Sequence, residues 1–142
     1  MRLTLAHAAA ITDAALARGR ERGFAPLTVA VLDAGGHLVA MKREDNSGIL
    51  RFDIAFGKAY GALGMGFGSR ELANRAAAAP VFIGALTAAS GGRLIPVPSG
   101  VLILSAGEVV GAVGISGDNS DNDETCALAG IEAAGLDAKI GL

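Results

Sequence analysis

The sequence predicts an α/β fold of the α+β type, in which helices pack on both faces of an antiparallel sheet. Two segments, at residues 27–43 and 101–115, have β-forming runs on either side of a Gly-containing turn, which is typical of β-hairpins. Helical patterns precede, separate and follow these hairpins, so the predicted order is α–ββ–α(αα)–ββ–α. Because hairpins pair neighbouring strands antiparallel, the sheet is predicted to be antiparallel.

The first helix is predicted at residues 5–22, directly before the first hairpin. Thr4 is a residue type that caps helix N-termini, and Gly23 suits the C-terminal end. The strands of the first hairpin are predicted at about 27–33 and 37–43. The chain therefore enters the sheet from a well-delimited helix.

Three helices are predicted between the hairpins, at about 50–65, 69–77 and 80–89. Ser69 is expected to cap the second of them, and Pro80 suits the first turn of the third. This helical stretch separates the two strand pairs.

The second hairpin has strands at about 101–105 and 108–115, followed by a last helix at about 120–135. Nearly every residue of these two strands is apolar. A strand with one solvent-exposed face would alternate apolar and polar residues. Both faces of this hairpin are therefore predicted to be covered.

Small residues dominate the composition. The 142 residues include 29 Ala and 21 Gly but no Trp, one Tyr and five Phe. With 51% hydrophobic and 18% charged residues, the chain is not a disordered protein, and its length favours one domain over residues 1–142. Small side chains bury little area each, so a homo-oligomer, dimeric or higher, is expected to persist at micromolar concentration.

The net charge of −2 divides unevenly, with +4 over residues 1–93 and −6 over residues 94–142. The chain has no Lys/Arg cluster and few aromatic residues for base stacking, so a nucleic-acid partner is not expected. No apolar run is long enough for a membrane span, and the first residues do not resemble a signal peptide. A cytoplasmic location is therefore expected. Cys126 is the only cysteine and is predicted to be a core residue.

Several common motifs are incomplete. No Gly-x-Gly-x-x-Gly turn follows a strand, and Phe52 stands where a phosphate-binding loop ending at Gly57-Lys58 needs its first glycine. The acidic segment from Asp118 lacks the Gly and Glu of a calcium-binding EF-hand loop. The sequence shows no standard catalytic or metal-binding signature.

Two cations of the second predicted helix are candidate ligand-binding residues. Arg51 and Lys58 are seven residues apart and therefore lie on one helix face. Neither has a carboxylate three or four residues away, so both are free to clamp a ligand carboxylate. The alternative is that they are surface cations or form pairs between subunits.

A row of glycines on the same helix also needs an explanation. Gly57, Gly61 and Gly64 each cost about 1 kcal/mol relative to Ala in a helix. The compensation is predicted to be close packing against another element or subunit, and ligand contact is the weaker alternative.

The acidic segment at residues 116–124 lies between a strand and a helix. Its carboxylates suit the positive end of the helix dipole, so they are expected to cap the helix, although a cation or polar ligand is the alternative. His7 and His37 are candidates for iron ligation or proton transfer, and the alternative is that both are ordinary surface histidines.

Several stretches together resemble the GlcG/HbpS-like haem-binding family, also called haem-degrading domains. In the family's order, the matching stretches are residues 31–39, 43–45, 54–59, 96–101 and 110–117, with 123–124. The family's Arg-x-Asp-Gly-Ala segment corresponds to residues 43–47, where Asn46 replaces the Gly. Ser99 likewise stands where the family commonly has Gly.

The resemblance implies a five-stranded antiparallel sheet flanked by helices, with a profilin-like or PAS-like layout. It also implies homo-oligomers and the binding of haem or a related tetrapyrrole. A similar domain is fused to cobalamin adenosyltransferases of diol utilisation, and others lie beside hydroxy-acid pathways.

The sequence therefore predicts an oligomeric small-molecule binder with haem as its cofactor. In this scheme Arg43, Arg51 or Lys58 holds ligand carboxylates, and His7 or His37 is the axial ligand. The alternative is an enzyme, or an accessory protein, acting on a small carboxylate or carbonyl metabolite; a purely structural assembly partner is a third hypothesis. The candidate ligand-binding residues across these schemes are Arg43, Asp45, Arg51, Lys58, Ser116 and Asp118.

Overall fold

A computed structural model describes residues 1–142 as five helices and five strands. The helices are α1 (Leu5–Arg22), α2 (Arg51–Met65), α3 (Ser69–Ala78), α4 (Pro80–Ala89) and α5 (Ser120–Ala133). The strands are β1 (Thr28–Asp33), β2 (Leu38–Arg43), β3 (Gly100–Ser105), β4 (Glu108–Ser116) and β5 (Asp137–Lys139). None of the helices is long and apolar enough to cross a membrane.

The five strands form one antiparallel sheet in the order β2-β1-β4-β3-β5. Both predicted hairpins are present, and α1 ends at Gly23 in the left-handed conformation that glycine favours. The α+β class predicted from the sequence is thus confirmed, including the five strands that the family resemblance implied.

Helices cover both faces of the sheet. Val29 and Val31 of β1 pack into the larger core cluster with α1 and α5, whereas Leu32 packs with Ala59 and Ala62 of α2. Alternate residues of a strand point to opposite faces, so the apolar strands supply both cores. The prediction that the second hairpin is covered on both faces is also correct, since most of β3 and β4 is buried.

Glycines allow α2 to lie directly on the sheet. A Cβ at Gly114 of β4 would overlap the backbone oxygen of Ala55, and one at Gly57 would overlap that of Arg93. Gly61 would place a Cβ 2.9 Å from Leu94, but Gly64 has open space around it. Close packing within the chain therefore explains two of the three glycines in the helical row.

Two local predictions need correction. Gly68, not Ser69, is the N-cap of α3. The Ser69 hydroxyl instead donates to the oxygen of Val97 at 2.6 Å and accepts from the N–H of Gly100 at 2.6 Å, fixing the start of β3. The sequence pattern also did not indicate the short β5, which pairs with β3 at the sheet edge.

The sheet has two ends with different chemistry. Thr28 pairs with Arg43 on one side and Ser116 on the other, and these residues define the Ser116 end. The turn between β1 and β2, which contains His37, defines the turn end. Since Arg43 and His37 are six residues apart along β2, they are separated by about 20 Å.

Candidate functional site

Lys58 is buried near the Ser116 end, and its ammonium group has hydrogen-bond and ion-pair partners within the protein. Its side chain is 3% exposed. The Nζ atom donates to the backbone oxygen of Ile115 at 2.8 Å and to Oγ of Ser99 at 3.1 Å. It also lies 3.5 Å from Oδ2 of Asp123, so the cation that lacks a partner within its helix is neutralised from α5.

Burial dominates the electrostatics of this pair. Desolvation lowers the pKa of Lys58 below its ordinary value, although the carboxylate of Asp123 acts in the opposite direction. Desolvation likewise raises the pKa of Asp123. Oδ1 of Asp123 accepts from the N–H of Asp118 at 2.9 Å, whereas Oδ2 has no hydrogen-bond partner. The role of Lys58 as a ligand clamp stays a prediction that requires this pair to open.

Arg51 lies nearer the surface than Lys58 does. Its Nη1 donates to Oγ of Ser116 at 3.1 Å, so the sequence-predicted pair Arg51 and Lys58 does converge on the end of β4. Ser116 is buried. The structure therefore brings together Arg51, Lys58 and Ser116 as predicted binding residues.

The acidic segment before α5 forms caps and ties between elements. Asp118 accepts from the N–H of Ala25 at 2.8 Å and from the amide of Asn122 at 2.7 Å. Asn119 is the N-cap of α5, and Glu124 accepts from Nε of Arg70 through both oxygens, each at 3.1 Å. No group of three or more His, Cys, Asp or Glu residues is arranged to hold a metal ion.

Arg43 and Asp45 line a separate cavity at the Ser116 end, next to α1. Its volume is about 420 Å³, and it is lined by Arg20, Pro26, Arg43, Glu44 and Asp45. We call it the Arg43 cavity.

The two histidines lie in different settings. His7 belongs to the first turn of α1, where its N–H donates to Oγ1 of Thr4 and its Nδ1 accepts from the N–H of Thr4, completing a capping box. His37 follows the β1–β2 turn, and its Nδ1 lies 3.1 Å from Oδ1 of Asp33. Capping accounts for His7, whereas His37 is 80% exposed beside a cavity.

We call this second cavity the His37 cavity. It has a volume of about 460 Å³. Its lining includes five apolar residues, namely Met1, Leu3, Ala34, Val109 and Val110. The polar lining residues are Arg2, Asp33 and His37, with Gly35 between the last two.

Sequence reasoning missed charged or polar residues at each site, namely Asp33 and Arg2 at the His37 cavity, Ser99 and Asp123 around Lys58, and Arg20 and Glu44 at the Arg43 cavity. The contact of Asp33 with His37 could have been predicted, because an Asp four residues before a His across a tight turn is within reach of the imidazole. The contact of Asp123 with Lys58 could not, since 65 residues separate them and only the fold brings them together.

The family model described as the haem-degrading HbpS-like proteins matches residues 3–132. The chain belongs to the HbpS-like family. A relative from Citrobacter freundii, described as an uncharacterised 15.0 kDa protein in the dhaT–dhaS intergenic region, is 30% identical over 125 residues. The match covers 88% of this chain and 87% of that protein.

Solved structures also match this HbpS-like chain over nearly its full length. ORFY of Klebsiella pneumoniae is 25% identical with a TM-score of 0.85, covering 95% of this chain and 92% of that one. A double mutant of Streptomyces reticuli HbpS is 29% identical with a TM-score of 0.78, covering 93% and 86%. The complex of PduOC with haem is 23% identical with a TM-score of 0.87, covering 96% and 98%, and it shares the fold.

Two departures from the HbpS-like pattern fall at unusual backbone angles. Asn46 has φ of 70° and Ser99 has φ of 92°, a region that glycine enters readily. Asn tolerates this region better than most residues, and Ser99 is held there by a 2.6 Å hydrogen bond from its Oγ to the oxygen of Ile115. Asn46 and Ser99 therefore adopt the positive φ angles that glycine would allow at these two positions.

Proposed function

We propose that this HbpS-like chain binds haem in the His37 cavity, where Nε2 of His37 would hold the iron. The observation that carries the proposal is the Asp33–His37 pair at the edge of a cavity with an apolar lining. Nδ1 of His37 is engaged by Asp33, whereas Nε2 has no partner in the protein. A carboxylate on the second ring nitrogen is the usual means of fixing a metal-ligating imidazole.

The backbone around His37 is shaped to hold the ring in this orientation. A Cβ at position 35 would lie 2.8 Å from Cε1 of His37 and 2.9 Å from Nδ1, so a larger residue there would push the imidazole out of this position. Asp33 also accepts from the N–H groups of Gly35 and His37, at 2.9 and 3.0 Å. These bonds outweigh desolvation and lower the pKa of Asp33, which keeps it ionised as a partner for the ring N–H.

The other walls of the cavity suit a flat, largely apolar ligand that carries carboxylates. Met1 and Val109 offer exposed apolar surface, and Arg2 offers a guanidinium for a propionate group. The volume of about 460 Å³ lies within the range of ordinary ligand sites. When bound, haem would supply an iron centre whose redox potential depends on the residues that hold it and on its surroundings. His37 would hold the iron, Asp33 would accept the hydrogen bond from Nδ1–H, and the apolar lining would pack against the ring.

The relatives support this choice of ligand. The matching family model is named for haem degradation, and PduOC, which has the same fold, was solved as a complex with haem. Arg43, Arg51 and Lys58 lie toward the Ser116 end, and none of them lines the His37 cavity. Their roles in ligand binding stay predictions for a different molecule.

The test is a haemin titration followed by absorption spectroscopy in the Soret region. We expect the wild type to give a Soret shift that His37→Ala removes and Asp33→Asn weakens. His7→Ala is the matched control and should behave as the wild type. An unchanged spectrum with His37→Ala would reject this ligation, and loss of the shift only with His7→Ala would transfer the axial role to α1.

We also propose that the chain forms a homo-oligomer through α4 and the end of α3. Residues 76–89 form a run of 14 residues without a charged side chain. Within it Val81 is 87% exposed and Phe82 is 56% exposed, and only Ile83 of α4 is buried. A helix that is apolar on all sides is normally covered, and a second copy of this small-residue chain is the occupant we propose.

A further inference from the structure

The Arg43 cavity carries charges that the haem proposal does not use. Four of its five lining residues are charged: Arg20, Arg43, Glu44 and Asp45. A cavity lined almost entirely by charged residues does not suit a tetrapyrrole or an aromatic ligand. Its ligand should instead be polar over its whole surface.

Two of these charged residues, Arg20 and Glu44, pair with each other. Oε2 of Glu44 lies 2.9 Å from Nε of Arg20, and its Oε1 accepts from the N–H of Leu27 at 2.7 Å. Arg20 further donates to the backbone oxygens of Phe24 and Ala25, at 2.8 and 2.9 Å. This pair forms a fixed and electrically neutral wall.

The remaining two charges have no partner in the protein. Neither Arg43 nor Asp45 makes a side-chain hydrogen bond or ion pair, although they are only two residues apart. Their Cα atoms are therefore at most about 7 Å apart. The cavity thus presents one free cation and one free anion side by side.

The loop that carries these two side chains is held at both ends. The N–H of Glu44 donates to the oxygen of Leu27 at 2.9 Å, and Oγ of Ser47 lies 2.7 Å from Oγ1 of Thr28 inside the protein. Asp45 therefore lies between two anchors, followed by Asn46 in the left-handed conformation. Because the loop backbone is fixed, less conformational entropy of the protein is lost when a ligand binds.

We propose that the Arg43 cavity binds an α-amino acid with a short polar side chain. Arg43 donates two parallel hydrogen bonds to the ligand carboxylate, and Asp45 accepts hydrogen bonds from the ammonium group. A small zwitterion matches the free cation and free anion at once, and it places no apolar group against the ion pair of Arg20 and Glu44. Because the groups are exposed, binding is expected in the millimolar range, with a Kd of about 1 mM.

Isothermal titration calorimetry with L-serine tests the proposal on the full chain. We expect Arg43→Gln and Asp45→Asn each to weaken serine binding by about tenfold. Lys42→Gln is the matched control, because Lys42 is the neighbouring cation of β2 but pairs with Asp13 and does not line the cavity. His37→Ala should bind serine normally, which separates this site from the haem site.

Ligand analogues separate the two recognised groups. Glycerate lacks the ammonium group and ethanolamine lacks the carboxylate, so each should bind about tenfold more weakly than serine. Phenylalanine should also bind more weakly, because its ring would lie against charged groups. The proposal is overturned if serine fails to bind at 10 mM, about ten times the expected Kd. It is equally overturned if Arg43→Gln and Asp45→Asn bind serine as the wild type does, or if glycerate or phenylalanine binds as tightly as serine.

Discussion

Lys58 of α2 and Asp123 of α5 form an ion pair that joins the two helical layers around the end of β4. The two helices pack on opposite faces of the sheet, yet Nζ and Oδ2 approach to 3.5 Å with side-chain exposures of 3% and 1%. Lys58 also binds the backbone of Ile115, so one side chain connects both helices to the sheet.

Replacing one member of this pair should destabilise the fold strongly. Lys58→Met leaves the carboxyl of Asp123 buried without a cation, and we expect a loss of about 3–5 kcal/mol in the free energy of unfolding. Urea denaturation followed by circular dichroism measures it. The double variant Lys58→Met with Asp123→Asn should recover part of the loss, because no uncompensated charge is left.

An exposed ion pair provides the control for that experiment. Lys42 and Asp13 are 58% and 61% exposed, so Lys42→Met should cost less than about 1 kcal/mol. Equal losses for Lys58→Met and Lys42→Met would show that burial of the Lys58 pair does not determine its contribution.

Glycine substitutions should separate close packing from helix propensity. Gly114→Ala forces a Cβ into the backbone oxygen of Ala55, so α2 must move off the sheet, and we expect the free energy of unfolding to fall by about 2 kcal/mol or more. Gly64→Ala meets nothing within 4 Å and should stabilise α2 by up to about 1 kcal/mol. Thermal unfolding of the two variants checks the opposite signs, and a stable Gly114→Ala protein would contradict the packing described here.

Asp118 should make stability depend on pH in the acid range. The N–H of Ala25, the N–H of Asn119 and the amide of Asn122 lower the pKa of Asp118 below its ordinary value. A carboxyl with a lowered folded-state pKa stabilises the fold above the unfolded-state pKa of about 3.9, and this contribution is lost as the pH falls through the folded-state pKa.

The comparison of the wild type with Asp118→Asn measures that contribution. The difference in free energy of unfolding should be full at pH 7 and should shrink below about pH 4, as the wild-type carboxyl becomes protonated. Urea denaturation at pH 7 and pH 3 provides both values. A difference that is the same at both pH values would assign the effect to lost geometry and not to charge.

A charge on α4 should disrupt the proposed oligomer. Phe82→Asp places a carboxylate on the exposed apolar face, and light scattering should show a shift toward the mass of one chain. Leu5→Asp is the control, because Leu5 is similarly exposed at 66% but lies on α1. A wild-type protein that is already monomeric at micromolar concentration would contradict the proposal.

Local signals in the sequence predicted most of the fold. Thr4 and Gly23 delimit α1 because capping depends on residues next to the helix, and the hairpin turns are similarly local. The three-residue β5 escaped prediction because its pattern is too short and its strand conformation depends on pairing with β3. Ser69 was assigned as a cap although its hydroxyl serves a distant backbone.

The sites depended more on contacts across the fold. Arg51 and Lys58 were found from helical spacing, but the burial of Lys58 and its pairing with Asp123 follow only from the assembled layers. The distance between His37 and Arg43 could have been predicted from the sequence, since six residues of extended strand span about 20 Å. Candidate residues could thus be chosen one by one from the sequence, whereas their grouping into cavities required the fold.

Cys126 gives this protein an internal reporter of its own opening. The thiol is buried, and burial raises its pKa to about 11, so only about one molecule in a thousand carries the reactive thiolate at pH 8. Alkylating reagents should therefore modify the chain only when α5 detaches from the core. The rate of that modification therefore reports on the opening of α5, without any added label.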